Sequence, residues 1–378
     1  MKNLSSTIIL SALLTFAFTS CTKEAGIKQD DKLSAADCPR LAGLTAEKKE
    51  ALYTVTTFAG SEIKLNYTEY EGVLCKAHFD TPWGISVMKD GVIYISDYLF
   101  HNIRKIDKGI VSTFAGMPSG SNYCEGEIDG IGTSAHFCTP KKMVQNDENN
   151  LIVLDQNGYG ALRKVSSNAQ VSTVITNMQR ESGYEDGPLA QAKFNYFISV
   201  TTNSNGAIYL YEENNLIRKI SKEGIVSTFA GQPPVNGEIQ RGYKDGPKEN
   251  ALFGFITDIT FAPNGSLYLC DVGNKKIRRI TPTGAVETVA DLPPASPVIS
   301  YDYFLAISDS GIVYIAISTQ VFKIDSDGIT SHIAGSEISD HKDGVGSKAR
   351  FTELHQMAIH KNYLYLTDGS TIRRMNIE

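Results

Sequence analysis

Six segments of the chain each carry, at one equivalent position, a side chain that could touch a ligand: Trp83, Lys141, Ile198, Thr257, Tyr303 and His355. Two residues later each segment has an apolar residue: Ile85, Met143, Val200, Ile259, Leu305 and Met357. The second position is uniform, as a core requires. The first is not, so packing does not dictate it. Aromatic rings beside Lys, Thr and His could stack on a sugar or a planar molecule and hydrogen-bond its rim. The plainer alternative is that Trp83 and Tyr303 only fill a channel.

Other charged residues recur, and recurrence argues for scaffold. Asp97, Asp155, Glu212, Asp271 and Asp368 each end a strand-like run, and Arg104, Arg163, Arg218, Arg278 and Arg373 stand in the run that follows. One unit has Ser318 and Phe322 instead, losing acid and base together. That joint loss points to an ion pair within each unit rather than to a ring of ligand contacts. A second phrase, Asp or Glu then Gly, with Ala-x-Phe following, recurs at Glu71, Asp129, Asp186, Asp245 and Asp343. It lacks the carboxylate ladder of a calcium loop, and the acid is expected to cap a short helical turn. His78 and His136 fall at its variable x position, where Lys193, Leu252 and Arg350 also occur. No HExxH, GxSxG or phosphate-loop phrase accompanies the remaining histidines. No catalytic set, metal site or cofactor is therefore assigned, although a site assembled from distant residues would leave no local motif.

These residues need a frame, and the sequence supplies one. The 378 residues are 42% hydrophobic and 21% charged, an ordinary globular balance. A net charge of −6 with no long basic run speaks against nucleic acid. Residues 1–20 hold an uncharged stretch from Ile8 to Phe18, too short to span a bilayer but suited to a signal peptide. Phe18-Thr19-Ser20-Cys21 resembles the lipobox of bacterial lipoproteins, which implies lipidation of Cys21, and Lys23-Glu24 resembles the surface-export signal of Bacteroidetes lipoproteins. The implied location is the outer membrane, with its lipid as one partner. Residues 21–52 are polar and read as a tether. Export lets disulfides persist, and Cys124–Cys138 is the expected pair. Cys38–Cys75 is a second possibility, and Cys270 is expected to be a buried thiol.

From residue 53 to 378 a phrase recurs six times, beginning at Val55, Val111, Val171, Val226, Val286 and Thr330. Self-similarity at a period of this size marks a solenoid, propeller or array. Each unit holds four short β-rich runs, with turn pairs such as Asp90-Gly91 and Asn264-Gly265 between the first two. The pattern predicts an all-β, six-bladed propeller of four-stranded antiparallel blades. It opens on a fourth-strand phrase and stops on a third strand, so residues 53–59 must complete the last blade. The runs Val92-Ile-Tyr-Ile-Ser-Asp97 with His101-Asn-Ile-Arg-Lys-Ile106, and Ser266-Leu-Tyr-Leu-Cys-Asp271 with Asn274-Lys-Lys-Ile-Arg-Arg-Ile280, resemble NHL repeats. That resemblance implies the fold and leaves function open, because the family includes interaction platforms, RNA binders and enzymes. Long connectors fall at one end of the ring and short turns at the other. The expected function is a non-catalytic binding or scaffold lipoprotein that presents the long-loop face to a glycan, peptide or protein. Its site would be the channel mouth, with Trp83, Lys141, Thr257, Tyr303 and His355. The rival is a propeller lyase or hydrolase with a metal at that mouth.

Overall fold

A computed structural model describes residues 50–61, 70–118, 124, 126–156, 160–176, 182–294 and 302–378. Six antiparallel sheets follow one another along the chain. In blade 1 the strands are Pro82–Val87, Ile93–Asp97, Asn102–Asp107 and Ile110–Gly116, running from the innermost outward. Blades 2 to 5 repeat this order, starting at Pro140, Phe197, Ile256 and Tyr303. The turn between the first two strands always contains a residue at positive φ: Gly91, Asn149, Gly206, Gly265, Gly311 or Lys361. That conformation is what lets so short a loop join two strands.

The ring closes as its ends require. Thr54–Ala59 pairs antiparallel with Thr371–Asn376, with Val55 opposite Met375 and Thr57 opposite Arg373. It becomes the fourth strand of the blade whose inner strands are Leu354–His360 and Tyr363–Asp368. Apolar side chains meet between blade faces rather than in one central core. One cluster joins Tyr209 and Ile217 of blade 3 to Ile259 and Leu269 of blade 4, for example. Each interface buries side chains from two units, so an isolated blade would leave a face exposed.

Five blades carry a fifth strand that the sequence pattern did not suggest. The Asp/Glu-Gly phrase continues into a two-residue strand: Gly72–Val73, Gly130–Ile131, Gly187–Pro188, Gly246–Pro247 or Gly344–Val345. Each pairs with the outer edge of its blade's fourth strand, the glycine always opposite a valine. The expected helical cap is thus corrected. Single 3-10 turns do follow at Gly132–Ser134 and Gly346–Lys348, but neither has a side-chain cap. Among the described residues, blade 5 alone has four strands.

Candidate functional site

The inner strands that line the channel are held by a repeated buried device. Arg278 is fully buried between Asp271, at 2.9 Å, and Asp245, at 2.5 Å. Arg218 sits likewise between Glu212 and Asp186, and Arg373 between Asp368 and Asp343. Arg163 reaches Asp129 at 3.0 Å and Asp155 at 3.6 Å, while Arg104 is 3.9 Å from Asp97. The phenylalanine of each Ala-x-Phe phrase lies 5.1–5.5 Å under its guanidinium. The two repeated phrases are therefore one device.

The acid at the end of the second strand also accepts backbone N–H groups just before the inner strand. Asp97 takes Asp80 and Thr81, Asp155 takes Cys138 and Thr139, and Asp368 takes Thr352 and Glu353. These bonds fix the loop immediately preceding Trp83, Lys141 and His355. Burial raises these carboxyls, Asp97 to about 6 and Glu212 to about 7, against the pull of the arginines. In blade 5, Ile317 occupies the acid's register position, with Ser318 beside it, and Phe322 replaces the arginine. The intra-unit ion pairs are scaffold.

Inside the channel, in three blades the side chain just before the inward apolar step bonds the next blade. Ser199 Oγ accepts Ile259 N–H at 3.2 Å, Asp258 Oδ2 accepts Leu305 N–H at 2.8 Å, and Gln356 Oε1 accepts Ile85 N–H at 3.1 Å. Lys142 stands at this position in blade 2 and can only donate. Its buried ammonium donates to Ser199 Oγ, to Ile259 C=O at 2.7 Å and to Asp258 Oδ1, pairing with a carboxylate two blades away. Neither Lys142 nor Asp258 was singled out from sequence. The available signal was a charged side chain next to a uniformly apolar position.

Above this ion pair, at the end bearing the long connectors, lies a cavity of about 390 Å³. Trp83, Lys141 and Thr257 line it as expected, together with Tyr196, Ile198, Arg241, Glu213, Asp302 and Phe304. The Lys141 ammonium stands 4.4 Å from the centre of the Trp83 ring and 5.6 Å from that of Tyr98. Burial lowers its pKa, and Asp302 works in the other direction. The His355 ring stacks on Trp83 at 4.1 Å and is buried, so it supports the wall without lining it. Burial, aided by Lys141, pushes that imidazole down to about 4.

Tyr303 is not at the mouth. In the other five blades the inner strand has a one-residue bulge just before the apolar step, as between Ile256 and Ile259. Blade 5 has none: Tyr303 pairs with Ile317 and Leu305 with Ile315 in unbroken register. Tyr303 therefore takes the buried place of Ile256, and its hydroxyl donates to Pro293 C=O at 2.8 Å. Phe304 faces the cavity instead, 6.5 Å from Trp83 and edge-on.

Cys124 and Cys138 form the expected disulfide, with Cα atoms 4.9 Å apart. Cys75 is disulfide-bonded as well, and Cys270 is a buried free thiol. Cys21, Cys38 and the tether before residue 50 lie outside the described residues. Among the described residues no three His, Cys, Asp or Glu side chains converge on a common metal position. A second and larger cavity, about 1080 Å³, opens at the short-turn end. Sequence reasoning missed it, because the turns around it are short. Its lining includes Tyr209, which packs edge-on against both Phe229 and Phe261.

The family model of the teneurin NHL domain matches residues 71–281. Human teneurin-4 is 28% identical over 230 residues, covering 55% of this chain but only 8% of the teneurin. Among solved structures, an auxiliary nutrient binding protein from Bacteroides thetaiotaomicron aligns with TM-score 0.59 at 14% identity, over 88% of this chain and 78% of that one. A gluconolactonase from Xanthomonas campestris aligns with TM-score 0.50 at 11% identity, over 79% and 86%. Such neighbours share the ring and differ in what they do, so function has to come from the site. The matched residues run from the first fifth strand to the third strand of blade 4, four of the five Arg–acid–Phe devices lie wholly within them, and the chain belongs to the teneurin NHL-domain family.

Proposed function

We propose that this propeller is a non-catalytic binding protein whose ligand enters the cavity above the Lys142–Asp258 pair. The observation that carries the proposal is the wall formed by Trp83 and Lys141. An aromatic face carries an ammonium at 4.4 Å, inside a cavity whose lining differs from blade to blade. The repeated residues around it are taken up by the scaffold, and this set is not. A sugar fits that chemistry: its apolar ring face can replace the ammonium on the indole, while its hydroxyls meet Lys141, Arg241, Glu213 and Thr257. The name of the Bacteroides neighbour, an auxiliary nutrient binding protein, points the same way. We further propose that Cys21 anchors the chain to the outer membrane, so that the long-connector face meets extracellular glycans. Trp83 is the only tryptophan of the chain, which gives a direct test. Titration with a glycan library should shift its emission for at least one member, and Arg241→Ala should weaken that binding about tenfold. A library without a single hit, or a hit whose affinity by calorimetry is indifferent to both Trp83→Ala and Arg241→Ala, would overturn the site.

A further inference from the structure

Among the described residues, nothing pairs with the outer edge of blade 5, an edge that the other five blades cover. In those blades the glycine of the two-residue fifth strand lies opposite a fourth-strand valine: Val111, Val171, Val226, Val286 or Val55. The acid before that glycine then accepts from the threonine two residues further on. Glu71 takes Thr113 N–H at 2.7 Å, Asp186 takes Thr228 N–H at 2.8 Å, and Asp245 takes Thr288 N–H at 3.0 Å. Asp129 and Asp343 take the hydroxyls of Thr173 and Thr57 at 2.8 Å. The molecule thus shows five times what this edge accepts: an extended segment of acid, glycine, then Val, Ile or Pro.

The fourth strand of blade 5, Thr330–Gly335, keeps the same register. Thr330 pairs inward with Ile324 and His332 with Phe322, as Val111 does with Ile106 and Thr113 with Arg104. The outward backbone groups of Thr330 and His332 consequently match those of Val111 and Thr113. Among the described residues no strand pairs with them. The connector into this blade, from Asp291 to Tyr303, holds 11 residues against 18 to 25 for the others, and it contains no glycine. Exposed edges of this kind are templates for strand addition.

We propose that the outer edge of Thr330–Gly335 docks an extended segment of another polypeptide carrying acid-Gly-(Val/Ile/Pro). The partner glycine exchanges both backbone hydrogen bonds with Thr330, and the partner acid accepts from His332, whose exposed ring stands where the other blades have a threonine hydroxyl. This surface is on the rim of the ring and is independent of the channel mouth. The test uses a fluorescent synthetic peptide with the sequence of residues 340–346, which contains Asp-Gly-Val, and anisotropy titration of the whole protein. Saturable binding is expected, weakened at least tenfold when the glycine following the central aspartate is N-methylated, since that removes its ladder donor. Thr330→Pro should weaken it similarly, because proline is tolerated where the N–H of an edge strand points outward. Lack of binding at millimolar peptide would overturn the proposal. So would binding indifferent to N-methylation, an arm that needs no protein variant and stands if Thr330→Pro fails to fold.

Discussion

Acidification should destabilise this propeller through His355 by an amount the structure sets. The imidazole is 5% exposed, its Nδ1 meets no partner, and Glu353 is no closer than 4.0 Å. Its folded pKa, about 4, lies below the ordinary 6.5. The unfolded chain therefore binds the proton first, and stability falls as pH drops from about 6.5 towards about 4. Between pH 7 and pH 4 the linkage integral for that pair of values is about 3 kcal/mol. Other groups also titrate in this range, so the useful quantity is a difference between proteins. Urea unfolding at pH 7 and pH 4, followed by Trp83 emission, should show wild type losing ~3 kcal/mol more than His355→Gln. Native emission should also drop in the wild type alone, as an imidazolium forms against the indole at 4.1 Å. Parallel stability profiles for the two proteins would refute the assignment of a neutral, buried His355.

Deleting residues 372–378 removes the strand that pairs with Thr54–Ala59, and should lower the melting transition of the whole ring rather than fray one end. Calorimetry on the truncated chain checks this, and an unaltered transition would contradict closure. Arg278→Met leaves Asp271 buried and unpaired, and should cost about 3–5 kcal/mol in urea unfolding. Adding Asp271→Ile should recover much of that loss, because blade 5 already folds with an apolar pair at these positions. Cys21→Ser should release a soluble protein or leave an unprocessed precursor in membrane fractionation, and an unchanged membrane fraction would remove the anchor.

The ring was legible because each unit restates it. Six copies of one phrase fix the strand count, and the mismatch between first and last phrase fixes closure. The Arg–acid pairing was legible by the same comparison. The fifth strand was not: Asp-Gly followed by Val or Pro suits a cap as well as an edge strand, and two residues leave no period to read. Only the distant Val at the start of each fourth strand decides between them. The Lys142–Asp258 pair was hidden for a related reason. Its members are 116 residues apart and in blades that are not neighbours, so no local spacing joins them.

Tyr303 shows where residue counting fails at a site. Counting back from the apolar step makes Tyr303 equivalent to Trp83, since both precede it by two. Counting assumes that every inner strand covers that distance in the same way. Five do so with a bulge, which sets two residues against one across the ladder and turns the extra side chain to the channel. Blade 5 runs straight, so its second residue before the step is a core position and the one after it, Phe304, reaches the mouth. The same blade lacks the acid and the arginine and, among the described residues, the fifth strand. In the other blades the acid accepts the N–H groups at the start of the inner strand, holding the chain just ahead of the bulge. Without that acceptor the straight ladder is the form that leaves fewest backbone groups unpaired. One substitution pattern therefore accounts for two differences, a phenylalanine in the mouth and a tyrosine withdrawn from it, while the rim edge goes with the short connector that lacks the acid-Gly phrase.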